Sequence, residues 1–149
     1  MSTTTSIIND LIETLKDGQD GFRAASEAVR SSDLKTVFSE YSLQRSKFAG
    51  ELQSLAQSLG EKDPESTGSV AASLHRGWIN LKSAVTSQDD HAILAECERG
   101  EDSAVAEYRK ALEVDGLPGN VAQTIQTQFV AVQSAHDRVR SLRDSLASK

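Results

Sequence analysis

Hydrophobic residues recur at steps of three and four along most of this chain, which is the spacing that places them on one face of an α-helix. Five segments carry the pattern and predict helices over about residues 6–30, 33–59, 69–86, 90–113 and 120–147. Stretches rich in glycine, proline and acidic residues separate the segments, most clearly at 60–68 and 115–119. The pattern therefore predicts an all-α fold.

The lengths of the connections indicate how the predicted helices are arranged. The first two segments and the last two are each joined by a short loop, so each pair should form an antiparallel hairpin. A long connection that contains the shorter third helix separates the hairpins. Two hairpins joined by a crossover helix describe a ferritin-like four-helix bundle. At 149 residues the chain is expected to form a single domain, 1–149.

Five of the 9 glycines fall inside predicted helices, where glycine costs about 1 kcal/mol relative to alanine. They are Gly18, Gly21, Gly50, Gly77 and Gly100. In the first helix, Gly18 and Gly21 predict a kink or the close approach of another backbone. We interpret the others as points of close contact between helices.

Composition narrows the classes of function. Hydrophobic residues make up 38% of the chain, charged residues 26% and aromatic residues 5%, which is typical of a helical globular protein. The net charge of −6, without a run of Lys or Arg, argues against nucleic acid as a partner. No segment approaches the ~20 apolar residues that span a bilayer, so we expect no membrane partner. Cys97 is the lone cysteine and precludes an internal disulfide, which favours a reducing, cytoplasmic location.

Three charged or titratable residues interrupt the apolar stripes of the predicted helices. Arg45 takes a position where the second helix otherwise carries Leu or Phe, while Glu101 and His136 lie in the stripes of the fourth and fifth helices. Because burying an ion without a partner is costly, these side chains should meet. We therefore expect a buried polar network of Arg45, Glu101, His136 and Gln133, which is either structural or part of a functional site.

Two alternatives stay open for this network. In the structural one, Arg45 and Glu101 form a buried salt bridge that fixes the register of the helices. His136 then bonds to a neighbouring polar side chain, which is Glu98, Glu101 or Gln133. In the functional one, Glu98, Glu101 and His136 form a reduced metal site, since two carboxylates on one helix face and an imidazole suit a hard or borderline cation. Otherwise Glu98 and Glu101 are one solvated and one buried carboxylate.

The remaining candidates have a packing interpretation beside a functional one. Cys97 is either a buried apolar side chain or a reactive thiol. Trp78 is expected to pack on the bundle, although His75, Arg76 and Trp78 together also suit a partner-binding surface. His75 is expected to form hydrogen bonds, and His91 to be solvated. The chain has no phosphate-binding glycine loop, nucleophile elbow or zinc motif, so hydrolase, kinase and dehydrogenase functions are not expected.

Four sequence blocks carry a resemblance to a known family: DGQDGFRAASEAV (17–29), LHRGWINLKSAV (74–85), ILAECERGEDSAVAEYRKAL (93–112) and AHDRVRSLRD (135–144). Together they resemble a bacterial family of uncharacterised ferritin-like four-helix-bundle proteins, whose domain has no assigned function. The resemblance implies the fold more than any activity. By analogy with the family, it points to a setting in stress or metal homeostasis.

The resemblance also implies a test for a metal centre. A ferritin-like di-iron site takes one Glu from each of two helices and a Glu-x-x-His from each of the other two. In the corresponding places this chain offers Gln133-x-x-His136, Ser42-x-x-Arg45 and Glu101, with Gln19 or Ser26 on the inner face of the first helix and Glu27 displaced outward. Only Glu101 and His136 match the set. A guanidinium cannot ligate a cation, so Arg45 places a fixed positive charge where iron would lie.

These observations predict a non-enzymatic binding or assembly protein in which an ion-pair network replaces the metal. A second copy or another protein is the expected partner, with the third helix as a candidate contact, and no cofactor is expected. The competing hypothesis is iron, manganese or peroxide chemistry at the reduced site, assisted by Glu51 or Tyr41. The direction of Arg45 discriminates between the two, because a guanidinium that points into the cluster disfavours a metal.

Overall fold

The computed structural model describes residues 3–60, 77–78 and 80–147. Five α-helices cover nearly all of this part of the chain, and it contains no strand. They are α1 (Thr3–Ala28), α2 (Ser32–Ser58), α3 (Leu81–Ser87), α4 (Asp90–Leu112) and α5 (Gly119–Ala147). The predicted all-α class is confirmed.

The starts of α2 and α4 are fixed by side chains that the sequence places just before each of these two helices. The Ser31 hydroxyl accepts a hydrogen bond from the Leu34 amide at the start of α2, and the Asp89 carboxylate accepts one from the His91 amide at the start of α4. Asp33 and Asp90 lie in the first turns, where a negative charge complements the helix dipole. These caps explain why the observed starts lie so close to the predicted ones.

The third predicted helix differs most from the structure. Residues 61–76 and Ile79 lie outside the described part of the chain, so the prediction for 69–76 is not addressed. Gly77 has a φ of +95° and lies in a turn, and α3 begins only at Leu81, so the prediction that Gly77 is helical is wrong. A Cβ at Gly77 would lie 2.7 Å from the Ser103 Cβ, which shows how tightly the chain enters against α4.

The four long helices α1, α2, α4 and α5 pack in a ring. α1 packs along α2, α4 packs along α5, α1 also contacts α4, and α2 touches α5 more lightly. The Asp90 carboxylate accepts hydrogen bonds from the Arg30 amide at 2.8 Å and the Ser31 amide at 3.1 Å. α4 therefore begins beside the turn between α1 and α2. Since α2 is roughly 40 Å long, its end lies at the opposite end of the bundle, and α2 and α4 run in the same direction.

Two apolar clusters form the core, one towards each end of the bundle. The first includes Leu11, Leu52, Tyr108 and Ile125, and the second includes Phe22, Phe38, Leu94 and Val139. Arg45 and Glu101 fall between the two clusters in the order of residues along α2 and α4. A charged layer therefore separates the two halves of the apolar core.

Trp78 explains two of the helical glycines. Its side chain is 2% exposed, and its indole lies between Gly21 of α1 and Gly100 of α4. A Cβ at Gly21 would lie 2.5 Å from the indole, and one at Gly100 would lie closer still. Packing of Trp78 on the bundle is confirmed. What approaches Gly21 is a side chain, whereas the prediction was a kink or the approach of another backbone, and at Gly100 the close contact is with the same indole.

Gly18 and Gly50, which also lie inside helices, behave differently from each other. A Cβ at Gly18 would lie 3.3 Å from the Arg45 Nη1, so this glycine makes room for the guanidinium. Nothing lies within 4 Å of a Cβ at Gly50, so the predicted close contact there is wrong. α1 continues as helix through both Gly18 and Gly21.

No helix in the described part of the chain is both long and apolar enough to cross a membrane.

Candidate functional site

Arg45 and Glu101 form a fully buried, two-pronged ion pair between α2 and α4. The Arg45 Nη1 donates to the Glu101 Oε1 at 2.5 Å, and Nη2 donates to Oε2 at 2.6 Å. The two side chains are 1% and 0% exposed. Paired hydrogen bonds of this kind match the planar guanidinium to the planar carboxylate and are among the strongest in proteins. Arg45 thus points into the bundle, and its two terminal nitrogens both bond to Glu101.

Arg45 also contacts Gln44 and Phe22. Its Nε donates to the Gln44 Oε1 at 3.2 Å, and its guanidinium carbon lies 5.3 Å from the centre of the Phe22 ring. Gly18 leaves the space that the guanidinium fills. Burial alone would lower the pKa of Arg45, but the charge and hydrogen bonds of Glu101 outweigh burial and raise it. The guanidinium is therefore a permanent cation.

A second buried polar contact joins α4 and α5 to α2. The Tyr108 hydroxyl donates to the Gln128 Oε1 at 2.7 Å, and the Gln128 Nε2 donates to the Phe48 carbonyl at 3.2 Å and the Glu51 Oε1 at 2.9 Å. Burial raises the pKa of Tyr108, so the phenol stays protonated. The sequence analysis missed Gln128, although it stands between Ile125 and Val132 in the apolar stripe of α5.

Cys97 is buried and chemically quiet. Burial raises its pKa well above the usual value, and the nearby carboxylates of Glu101 and Glu96 raise it further. Only the thiolate is a strong nucleophile, and solvent cannot reach this sulfur. Of the two interpretations offered for Cys97, the structure supports the buried apolar side chain.

His136 does not join the Arg45–Glu101 pair. Its Nε2 lies 2.5 Å from the Asp102 Oδ1, and its Nδ1 lies 3.1 Å from the Asp137 Oδ1. Gln133 also faces the outside, donating to the same Asp137 oxygen at 3.1 Å. The predicted four-residue network is therefore divided: Arg45 and Glu101 pair inside, whereas His136 and Gln133 bond to surface carboxylates.

The charge state of His136 follows from these contacts. Burial alone would lower the pKa of His136, but its hydrogen bonds to Asp137 and Asp102 outweigh that effect and raise it. The same contact lowers the pKa of Asp137. Protonated His136 is thus stabilised by two acidic neighbours, neither of which the sequence analysis named.

Glu98 and Glu101 face different partners. Glu98 is 9% exposed, and its Oε1 lies 2.6 Å from the Arg143 Nη1 of α5. The prediction of one solvated and one buried carboxylate is wrong, because both are largely buried, each beside its own arginine. Glu98, Asp102 and His136 each offer one possible ligand atom, and these three atoms lie within 4.8 Å of one another. Asp102 takes the place that the predicted metal set gave to Glu101.

The residues present do not fit a ferritin-like di-iron site. Both Glu101 oxygens are taken up by Arg45. The Ser42 hydroxyl donates to the Gln19 carbonyl at 2.8 Å. The Glu27 side chain is 72% exposed. A fixed positive charge that already holds both oxygens of Glu101 is the opposite of what a pair of metal ions requires.

The remaining candidates lie elsewhere. Tyr41 is partly buried, with its ring centre 5.4 Å from that of Phe22, and Glu51 bonds to Gln128, so neither assists His136. His91 is exposed, as predicted. His75 and Arg76 lie outside the described residues. Glu96, also missed, is 3% exposed and accepts a hydrogen bond from the Asn80 amide at 2.8 Å, which ties the start of α3 to α4.

The fold and this site define an all-α protein with a buried arginine–glutamate pair in its interior. The chain belongs to the family described as domain of unknown function DUF2383, whose model matches residues 3–114. The match includes Arg45 and Glu101 and ends before α5, which carries His136. No curated protein matches the chain.

Proposed function

We propose that this protein is a ferritin-like four-helix-bundle protein that acts through binding or assembly and not through catalysis. The observation that carries the proposal is the position of Arg45, which is fully buried and held by both oxygens of Glu101. In ferritin-like metalloproteins the carboxylates of the bundle interior bind metal. Here the carboxylate of Glu101 is neutralised by the guanidinium of Arg45.

The topology supports the ferritin-like part of the proposal. α4 begins beside the turn between α1 and α2, as the bonds from Arg30 and Ser31 to Asp90 show, so α2 and α4 run in the same direction. Parallel second and third bundle helices require a long connection between the hairpins, which is the feature that separates ferritin-like bundles from up-down-up-down ones.

The state of the interior side chains supports a non-catalytic role. The most deeply buried reactive groups of the described residues include the Cys97 thiol, the Tyr108 phenol and the Arg45–Glu101 pair, and each of these is less than 2% exposed. The pKa values of Cys97 and Tyr108 are raised, which keeps both protonated near neutral pH. Groups that no substrate reaches, and that are not ionised for reaction, stabilise a fold more readily than they catalyse. We therefore propose no iron or manganese chemistry at Glu98, Glu101 and His136.

The outer surface is then where the protein acts, with a second copy or another protein as partner. A cytoplasmic location is part of the proposal, supported by the single, reduced Cys97. A role in stress or metal homeostasis rests on the family resemblance alone.

Two assays test the proposal. Aerobic oxidation of Fe(II) and consumption of hydrogen peroxide should not accelerate in proportion to protein. Saturable turnover that Glu101→Gln abolishes would overturn the non-catalytic half. Sedimentation velocity and melting over a wide concentration range should show self-association, because a protein stabilised by its own copies melts at a temperature that rises with concentration. A monomer with a constant melting temperature would contradict assembly from identical copies and leave another protein as the partner.

A further inference from the structure

The cluster of Glu98, Asp102 and His136 on the outside of α4 and α5 has the arrangement of a small ligand set. Glu98 and Asp102 lie four residues apart, so they are neighbours on one face of α4. His136 reaches them from α5. One possible ligand atom from each residue lies within 4.8 Å of the other two. Donors that share one Zn²⁺ at about 2 Å lie at most about 4 Å apart, so small side-chain movements would close the set.

The imidazole of His136 is already oriented for this role. Its Nδ1 faces the Asp137 Oδ1 at 3.1 Å, while its Nε2 faces Asp102. A carboxylate on the far ring nitrogen is the usual partner of a metal-bound histidine, because it fixes the tautomer and the direction of the ring. Gln133 donates to the same Asp137 oxygen at 3.1 Å and so holds that carboxylate in turn.

A metal ion at the cluster would compete with Arg143 for Glu98. Arg109 and Arg140 line the same surface pocket as Asp102 and His136. Glu98 is largely buried and is balanced by the Arg143 Nη1 at 2.6 Å. Arg143 is 32% exposed and its Nη2 also contacts the Asp144 Oδ1 at 3.0 Å. A divalent ion beside Glu98 would supply the positive charge that Arg143 now provides, and Arg143 would keep Asp144 as its partner. Two carboxylates and a neutral imidazole then match the charge of a divalent ion.

We propose that Glu98, Asp102 and His136 bind a single divalent transition-metal ion, of which Zn²⁺ is the first to test, and that this ion links α4 to α5. An imidazole nitrogen beside two carboxylate oxygens favours a borderline ion over Mg²⁺ or Ca²⁺, which prefer oxygen alone. Three protein ligands leave a position for water. The site is distinct from the Arg45–Glu101 pair, so its failure would leave the proposed function untouched.

The test is a calorimetric titration of untagged, chelator-stripped protein with Zn²⁺. The wild type should bind one equivalent, and Asp102→Asn and His136→Ala should weaken that binding at least tenfold. Asp137→Asn, which removes the orienting carboxylate, should weaken it by roughly 10–100-fold. Mg²⁺ should give no comparable binding.

Two further variants separate this site from general attraction of zinc to a surface. His91→Ala removes an exposed histidine from the start of the same helix and should leave binding unchanged. Arg143→Gln removes the competing cation beside Glu98 and should tighten binding several-fold. A melting temperature that zinc raises in the wild type but not in Asp102→Asn would show that the ion binds the folded protein at this site.

The proposal is overturned if the wild type binds no zinc, or if Asp102→Asn and His136→Ala bind it as tightly as the wild type. Loss of binding in His91→Ala equal to that in His136→Ala would overturn it too. Asp102 is 62% exposed, so its substitution should not disturb the fold. Asp102→Asn therefore gives a decisive result even if His136→Ala folds poorly.

Discussion

Removing one member of the Arg45–Glu101 pair should destabilise the protein far more than removing both. Glu101→Leu leaves a guanidinium that is 1% exposed, without the carboxylate that receives two of its hydrogen bonds. Arg45→Met leaves a carboxylate that is 0% exposed. The double variant removes both charges of the pair and replaces them with apolar side chains of similar size.

The expected magnitudes follow from this burial. Breaking a buried pair by removing one partner costs roughly 3–5 kcal/mol, whereas replacing both partners with apolar residues is often nearly neutral. The two single variants together should therefore cost roughly 6–10 kcal/mol, and the double variant about 0–2 kcal/mol. Because a domain of this size unfolds with about 5–15 kcal/mol, each single loss is a large share of the total.

Urea unfolding of the four proteins measures these values through the shift of the midpoint at constant slope. The surface pair Arg23–Glu27 is a matched control, since its atoms are 3.8 Å apart and both side chains are 72% exposed. The corresponding cycle with Arg23→Met and Glu27→Leu should give a coupling of no more than ~0.5 kcal/mol.

Additive losses at Arg45 and Glu101, so that the double variant is as unstable as the sum of the singles, would refute the reasoning. If Glu101→Leu is unfolded without urea, the same question is answered by whether adding Arg45→Met restores the fold. Failure of the second substitution to restore any stability would show that the cost arises from packing and not from an unpaired charge.

Three further predictions concern Gly100, Cys97 and His136. Gly100→Ala places a methyl group inside the Trp78 indole and should destabilise by roughly 1–3 kcal/mol or more, whereas Gly50→Ala has open space and should stabilise by up to ~1 kcal/mol; thermal unfolding of both variants checks this. Cys97 should react with a water-soluble thiol reagent no faster than the protein unfolds, because burial raises its pKa, and labelling of the native protein at the rate of a free thiol would contradict this. The pKa of His136 is raised on folding, so its protonated form stabilises the fold below the pKa of an unfolded histidine, and that stabilisation is lost as the pH rises through the raised value. In the presence of chelator, His136→Ala should therefore lose more stability near about pH 5 than near about pH 8, and equal losses in urea unfolding at the two pH values would count against the contacts to the two acids.

The helices and the interior ion pair could be predicted because each leaves a periodic signal. Apolar steps of three and four define a helix face, and serine and aspartate mark where α2 and α4 begin. Arg45 and Glu101 each replace an apolar residue in a stripe that must be buried. Two opposite charges in buried stripes are natural partners, so the sequence favoured pairing them, although it also placed His136 and Gln133 in the same network and left a metal site open as an alternative.

The surface cluster could not be predicted in the same way. Successive residues of a helix point about 100° apart. The rotation of α4 about its axis therefore decides whether Glu101 or Asp102 faces His136. The spacing of apolar residues locates the buried face of a helix to within about one residue step, so it does not show which of two adjacent acidic residues faces a neighbouring helix. The spacing of Asp102 four residues after Glu98 was the available signal, and it went unused.

Other misses have local causes. Gly77 fits the helical spacing of its neighbours, and its positive φ, beside Ser103 of α4, shows that the chain turns there. Gln128 is uncharged and so does not stand out in an apolar stripe, although burial obliges it to find partners. In both cases tertiary contacts decided what local pattern left open.

The place of Trp78 gives this protein an optical signal of its own. It is the one tryptophan in the sequence, and its indole lies where the chain ahead of α3 meets α1 and α4. Its fluorescence emission therefore reports whether the chain just ahead of α3 stays packed against α1 and α4, whereas circular dichroism reports the helix content. If the two signals change together during unfolding, this part of the chain and the long helices unfold as one cooperative unit. If the emission changes first, the indole leaves its position between the two glycines while the helices remain folded.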